Sequence, residues 1–229
     1  MPRIADRVRI AAVLSLVIAT GLGACRSSTP ASSAPAPAPE PTRALGGLAA
    51  VPVIVTPAHT VRGGDAMGWA ARLASRDFLR GIDAEIAFVL RERGLDSVWR
   101  LPERLLADYR RNPTLGANPS ALAAEQLRSP NLKIGQRIGE PLASQLRALA
   151  AMHTGRLVLV PVEVRFEPEG TAAAGQPATG RGVLRLVLVD ARSTEVRWIG
   201  EVRSDPATSP SKAVEATLGL RVGDLVAAP

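Results

Sequence analysis

The sequence predicts an α/β fold (α+β-like): one mixed sheet with a C-terminal antiparallel three-strand meander and helices packed on it. Three observations carry this expectation. A short β-branched run, Val51-Pro-Val-Ile-Val-Thr-Pro57, precedes a stretch with helical periodicity from about Leu73 to Arg93. The last third then carries three strand-like runs: 157–166, apolar at first and alternating from Val162, then 183–188, then the alternating 196–202. An amphipathic segment after Ser209 closes the chain. Hydrophobic residues make up 46% of the 229, which excludes global disorder, and aromatics only 3%, so the core is aliphatic.

Taken in order, the first run reads as a buried strand closed by proline, and Arg62-Gly63-Gly64-Asp65 as a turn. In the long helix, Phe78, Ile82, Ile86, Val89 and Leu90 share a face, Gly94 supplies the C-terminal stop, and Gly81 implies close packing or a bend. Ser97–Arg100 reads as a brief strand. Pro102 opens a helix carried by Leu105, Leu106 and Tyr109 and stopped before Pro113. Asn118-Pro119 reads as the start of a short helix through Leu122 and Leu127. Pro141 starts another, with Leu142, Leu146 and Leu149 on one face, ending near Gly155.

Leu157–Val160 is continuous and apolar, as in a strand covered on both faces. Val162, Val164 and Phe166 then alternate with Glu163 and Arg165, giving a wet face, and Pro161 implies a bulge or an edge. A Gly, Ala and Pro-rich loop spans Glu167–Arg181. Leu184, Leu186 and Leu188 form the next strand, Asp190–Glu195 turns the chain, and Val196, Trp198 and Val202 line the last. Ser209-Pro210 caps the closing helix, with Val214, Leu218, Val222 and Leu225 on its stripe and Gly219 and Gly223 weakening it.

The N-terminal 45 residues are of another kind. Arg3, Arg7 and Arg9 precede an apolar run, Ile10–Thr20, that is too short to span a bilayer and reads as an export signal. It ends in Leu22-Gly23-Ala24-Cys25, which resembles the lipobox of bacterial lipoproteins. The resemblance implies cleavage before Cys25, the only cysteine, and its acylation, with several acyl chains holding the protein on a membrane. Arg26 stands where inner-membrane lipoproteins of enterobacteria carry aspartate, which by that analogy favours the outer membrane, the domain facing the periplasm. Alternating Ala-Pro after Cys25 makes an extended tether whose roughly 20 residues reach on the order of 60 Å. The domains are therefore 1–24 signal peptide, 25–45 lipidated cysteine and tether, and 46–229 one folded domain. Cleavage removes three arginines and Asp6, lowering the charge from +7 to +5.

The order of elements, with Leu186-Val-Leu-Val-Asp-Ala-Arg-Ser-Thr-Glu-Val-Arg-Trp198, resembles the TolB amino-terminal domain. The curli secretion lipoprotein and the lipoprotein activators of penicillin-binding proteins share that arrangement. These families usually carry D-A-x-T-G-E-x-x-W; here Ser193-Thr194 stands in place of Thr-Gly. The resemblance implies envelope assembly or regulation of a peptidoglycan enzyme. The 167–181 loop lacks the alternating apolar residues of a membrane-inserting hairpin.

Chemistry is sparsely signalled. No G-x-S-x-G elbow, H-E-x-x-H pair, cysteine cluster or calcium loop is present, so no metal and no cofactor is expected. His59 follows the first strand and reads as a solvated loop histidine; His153 ends a helix, where a cation suits the dipole. Glu167, Glu169 and Asp205 read as solvated carboxylates. Arg91, Arg93, Arg100, Arg104, Arg110 and Arg111 interleave with Glu92, Glu103 and Asp108 as a solvated helix face, with contact to anionic lipid head groups or envelope polymers as the alternative reading. Export and seven aromatics argue against nucleic acid. The expectation is a non-enzymatic envelope lipoprotein that binds or positions a protein partner. The alternatives are a periplasmic hydrolase using His59, and a structural lipoprotein without a dedicated partner.

Overall fold

The computed structural model of the chain describes residues 45–73, 76–114, 116–170 and 177–226. The signal segment, Cys25 with its preceding Leu22, Gly23 and Ala24, and the tether up to residue 44 lie outside the described residues. The domain is built on a mixed five-stranded sheet: β1 (Val53–Val55), β2 (Thr60–Gly63), β3 (Leu157–Pro168), β4 (Gly180–Asp190) and β5 (Glu195–Arg203). Its helices are α1 (Ala70–Leu73), α2 (Arg76–Glu92), α3 (Pro102–Arg111), α4 (Leu142–His153) and α5 (Lys212–Val226).

The meander is as predicted: β3, β4 and β5 pair antiparallel in sequence order. On the remaining edge of β3 lie both β1, paired with Leu157–Leu159, and β2, paired with Glu163–Phe166, each parallel. They are two halves of one interrupted strand. The interruption, Thr56–His59, stays attached through Thr56 N–H to Leu159 and His59 N–H to Pro161. Opposite it, β3 bulges between Pro161 and Glu163, as Pro161 implied.

That bulge changes which face each residue serves. Before it, Val158, Val160 and Val162 face a layer built by Leu142, Leu146 and Leu149 of α4 with Leu105 of α3. After it, Val164 and Phe166 face the opposite layer, with Phe78, Ile82 and Ile86 of α2 and Leu218 and Val222 of α5. A second bulge between Leu188 and Val189 does the same to β5. Val196 therefore joins the α4 layer while Trp198 and Val202 join the α2–α5 layer, and not one shared face as their alternation suggested. Beyond α4 the far end of that sheet face carries a polar ladder. Arg165 binds Glu201 with two bonds of 2.7 Å and Glu167 at 2.8 Å, and Arg203 reaches Glu167 at 3.1 Å. The expected wet face is there, except that Glu163 is buried.

Other expectations need correction. Arg62 and Gly63 belong to β2, because backbone pairing with β3 makes a strand that four residues could not signal alone. Ser97–Arg100 is a 3-10 turn, Leu95–Ser97, and a single bridge from Arg100 to Ile54. Asn118 caps a turn, its Oδ1 accepting the Ser120 N–H at 3.0 Å, and the helical turn that follows is 3-10, Ala124–Arg128. The hairpin strands extend to Pro168 and from Gly180, so the 167–181 loop is shorter than read. The closing helix starts at Lys212, two residues after the predicted cap. Gly94 does stop α2, at φ +72°.

Candidate functional site

Two places bring functional side chains together. The first is the strand interruption at the carboxyl end of β1, where ligands of parallel sheets are commonly bound. His59 is not the solvated loop residue expected. The bulge and the 3-10 turn Ala124–Arg128 close over it, and burial pushes its pKa down to about 4 against the pull of the Glu125 carboxylate. The ring lies 3.4 Å from the hydroxyl of Thr56. It lines a cavity of about 180 Å³ with Thr60, Ser120, Glu125 and Arg128, walled by Leu122 and Val162. Arg128 donates to the Thr60 hydroxyl at 3.4 Å. Behind the loop, Asp83 of α2 accepts the Ala58 N–H at 2.7 Å, and burial pushes its carboxyl up to about 7.

His153 is likewise not a cationic cap. It is buried against Asp108, with Nδ1 3.7 Å from Oδ2, and desolvation lowers its pKa, which favours the neutral ring.

The second place is the outer surface of α2, α3 and α5. A Cβ on Gly81 would sit 2.1 Å from the Glu215 carboxylate, one on Gly219 2.7 Å from Glu85, and one on Gly223 2.2 Å from Val89. Contacts stepping by four on both helices mean that α2 and α5 run parallel, pressed together through these glycines. Residues just after the α2 contacts (Ile82, Ile86, Leu90) and just before the α5 contacts (Val214, Leu218, Val222) turn into the core. The complementary positions therefore turn outward on one side of the seam. They are Ala84 and Phe88 on α2 and Ala216 and Leu220 on α5, and Phe88 is 53% and Leu220 50% exposed.

One turn beyond Phe88, Arg91 opens onto a groove of about 390 Å³ that it lines with Arg100, Arg104, Arg111, Asp96 and Glu103. Sequence spacing spreads these arginines over a solvated face; the fold gathers four of them around one depression. Arg91 pairs with Glu103, and Arg104 and Arg111 share Asp108 at 3.6 and 3.3 Å. Arg100 forms no ion pair among the described residues. Helical periodicity marks Phe88 no differently from any other surface residue of α2.

Among the described residues no group of three or more His, Cys, Asp or Glu side chains is arranged to hold a metal. Nor is any helix among them long and apolar enough to cross a membrane.

No protein-family model and no curated protein matches the chain. Among solved structures it is similar to the lipoprotein GNA1162 from Neisseria meningitidis, at 15% identity over 77% of this chain and 98% of that one, with a TM-score of 0.40. It is similar at the same TM-score of 0.40 to the hypothetical protein CT253 from Chlamydia trachomatis, at 16% identity over 78% of this chain and 99% of that one. Likenesses at that level say nothing about this chain's function.

Proposed function

We propose that the chain is an envelope lipoprotein, anchored through acylated Cys25 and facing the periplasm, whose domain binds a protein partner through the outer surface of α2, α5 and α3. The outer membrane is the favoured anchor site, on the identity of Arg26. The observation that carries the binding reading is the seam itself. Two large apolar side chains, Phe88 and Leu220, stand half exposed on the two packed helices, and one turn beyond Phe88 an arginine-lined groove opens at Arg91. An apolar anchor flanked by arginines is the composition of an interface centre, where such residues are enriched. The uncommitted guanidinium of Arg100 suits a partner carboxylate.

The lipobox resemblance and the long tether support the anchor. The TolB-like order of elements supports a role in envelope assembly or in regulating a peptidoglycan enzyme. The test is quantitative co-purification from cross-linked envelopes with the wild type, Phe88→Glu/Leu220→Glu and Arg100→Glu. The reading expects one protein recovered with the wild type and depleted at least tenfold by either variant, a loss of about 1.4 kcal/mol or more. Equal recovery with all three chains would contradict it, as would recovery of the bait alone.

A further inference from the structure

The cavity at His59 shares no lining residue with the proposed partner surface, and its charges have an arrangement that calls for an occupant. Glu125 and Arg128 are three residues apart on a 3-10 turn, a geometry in which such side chains eclipse one another and project to the same side. Both line the cavity. Opposite charges so placed would ordinarily close into a salt bridge, yet neither is in an ion pair among the described residues. Arg128 is turned inward onto Thr60, and Glu125 stands at the exposed mouth, close enough to act on the His59 ring. The space thus offers a cationic donor pair, Arg128 with the Thr60 hydroxyl, and an anionic acceptor, Glu125. Its exposed lining is almost wholly polar, and Leu122 and Val162 present little surface to it.

At about 180 Å³ the cavity is smaller than the pockets of drug-sized ligands and has room for a molecule of roughly half a dozen non-hydrogen atoms. Its position, at the carboxyl end of β1 and opposite the β3 bulge, is where sheets present side chains to ligands. A hydrolytic role fits these residues less well. The hydroxyl that the His59 ring touches is that of Thr56, which is fully buried, and the ring is desolvated into a weak base.

We propose that this cavity binds a small zwitterion of the α-amino-acid class, its carboxylate toward Arg128 and Thr60 and its ammonium toward Glu125. The ligand completes the charge pairing that the two side chains do not make with each other.

The experiment is a titration of the full chain, purified in detergent, followed by the imidazole resonances. With only His59 and His153 present, the two signals report on separate places. The probes are L-alanine, acetate and methylammonium. L-alanine is expected to shift the His59 signal saturably with millimolar or tighter affinity and to leave His153 unmoved. Acetate and methylammonium, each carrying half of the charge pattern, should bind at least tenfold more weakly. Glu125→Gln, at an exposed position that leaves folding intact, and Arg128→Gln should each weaken L-alanine at least tenfold. The proposal is overturned by no saturable shift with L-alanine, by acetate or methylammonium binding as well as L-alanine, or by undiminished binding to folded Glu125→Gln.

Discussion

At the scale of single residues, two half-buried groups at the Thr56–His59 interruption pull stability in opposite directions with pH. Asp83 has its folded pKa raised from 3.8 to about 7, so its contribution is fully present below about pH 4 and is lost as pH rises through 7. His59 has its folded pKa lowered from 6.5 to about 4, so its contribution is present above pH 6.5 and is lost as pH falls through 4. Between those limits the two nearly cancel, and each alone carries a slope approaching 1.4 kcal/mol per pH unit. Urea unfolding of His59→Gln from pH 4 to pH 7 is therefore expected to show stability falling as pH rises. Asp83→Asn should show it rising to about pH 6.5, so that the two variants depart from the wild type with opposite slopes. A second residue-scale expectation concerns Thr194, which sits at φ +58° in the β4–β5 turn. A branched side chain is strained there. Thr194→Gly should stabilise the domain by roughly 0.5–1 kcal/mol, after the entropy that glycine costs, read as a raised Tm.

At the scale of elements, the glycines of α5 are contacts, although their helix propensity alone marks them as weak points. A Cβ on Gly219 would sit 2.9 Å from the backbone carbon of Glu85, which has nowhere to go. Gly219→Ala should therefore cost about 1–3 kcal/mol, outweighing the ~1 kcal/mol of helix propensity gained, and lower Tm by several degrees. At Gly81 the clash is with the end of the Glu215 side chain, which can swing away, so Gly81→Ala should cost less. The same contrast shows what could be read without a structure. Apolar spacing marks α2, α4 and the meander because packing on one face dictates it, and Pro161 marks the bulge because it lacks a donor. β2 was hidden because its pairing is supplied by β3, a hundred residues on. The face inversions at the two bulges were hidden for a related reason: one inserted residue leaves the alternation of residue types intact while exchanging the layers they serve. His59 itself is visible as a candidate, but its company is not, since Glu125 and Arg128 lie on a 3-10 turn that reads as part of a short helix.

At the scale of the whole molecule, a sheet covered on both faces supports two surfaces that do not overlap in residues. The α2–α5 seam and arginine groove suit a macromolecular partner, and the His59 cavity suits something small. Both serve a protein held at a membrane only if the chain is processed and acylated as Leu22-Gly23-Ala24-Cys25 implies. That anchoring is the central claim, because it sets the compartment in which any partner is met. The measurement that tests it most directly is the mass of the N-terminal peptide of the protein recovered from membranes. The account predicts a peptide that begins at Cys25 and carries a diacylglyceryl thioether, with Cys25→Ala abolishing the modification and releasing the protein or leaving it uncleaved. A membrane-bound chain that retains residues 1–24, or one whose Cys25 is a free thiol, would contradict it.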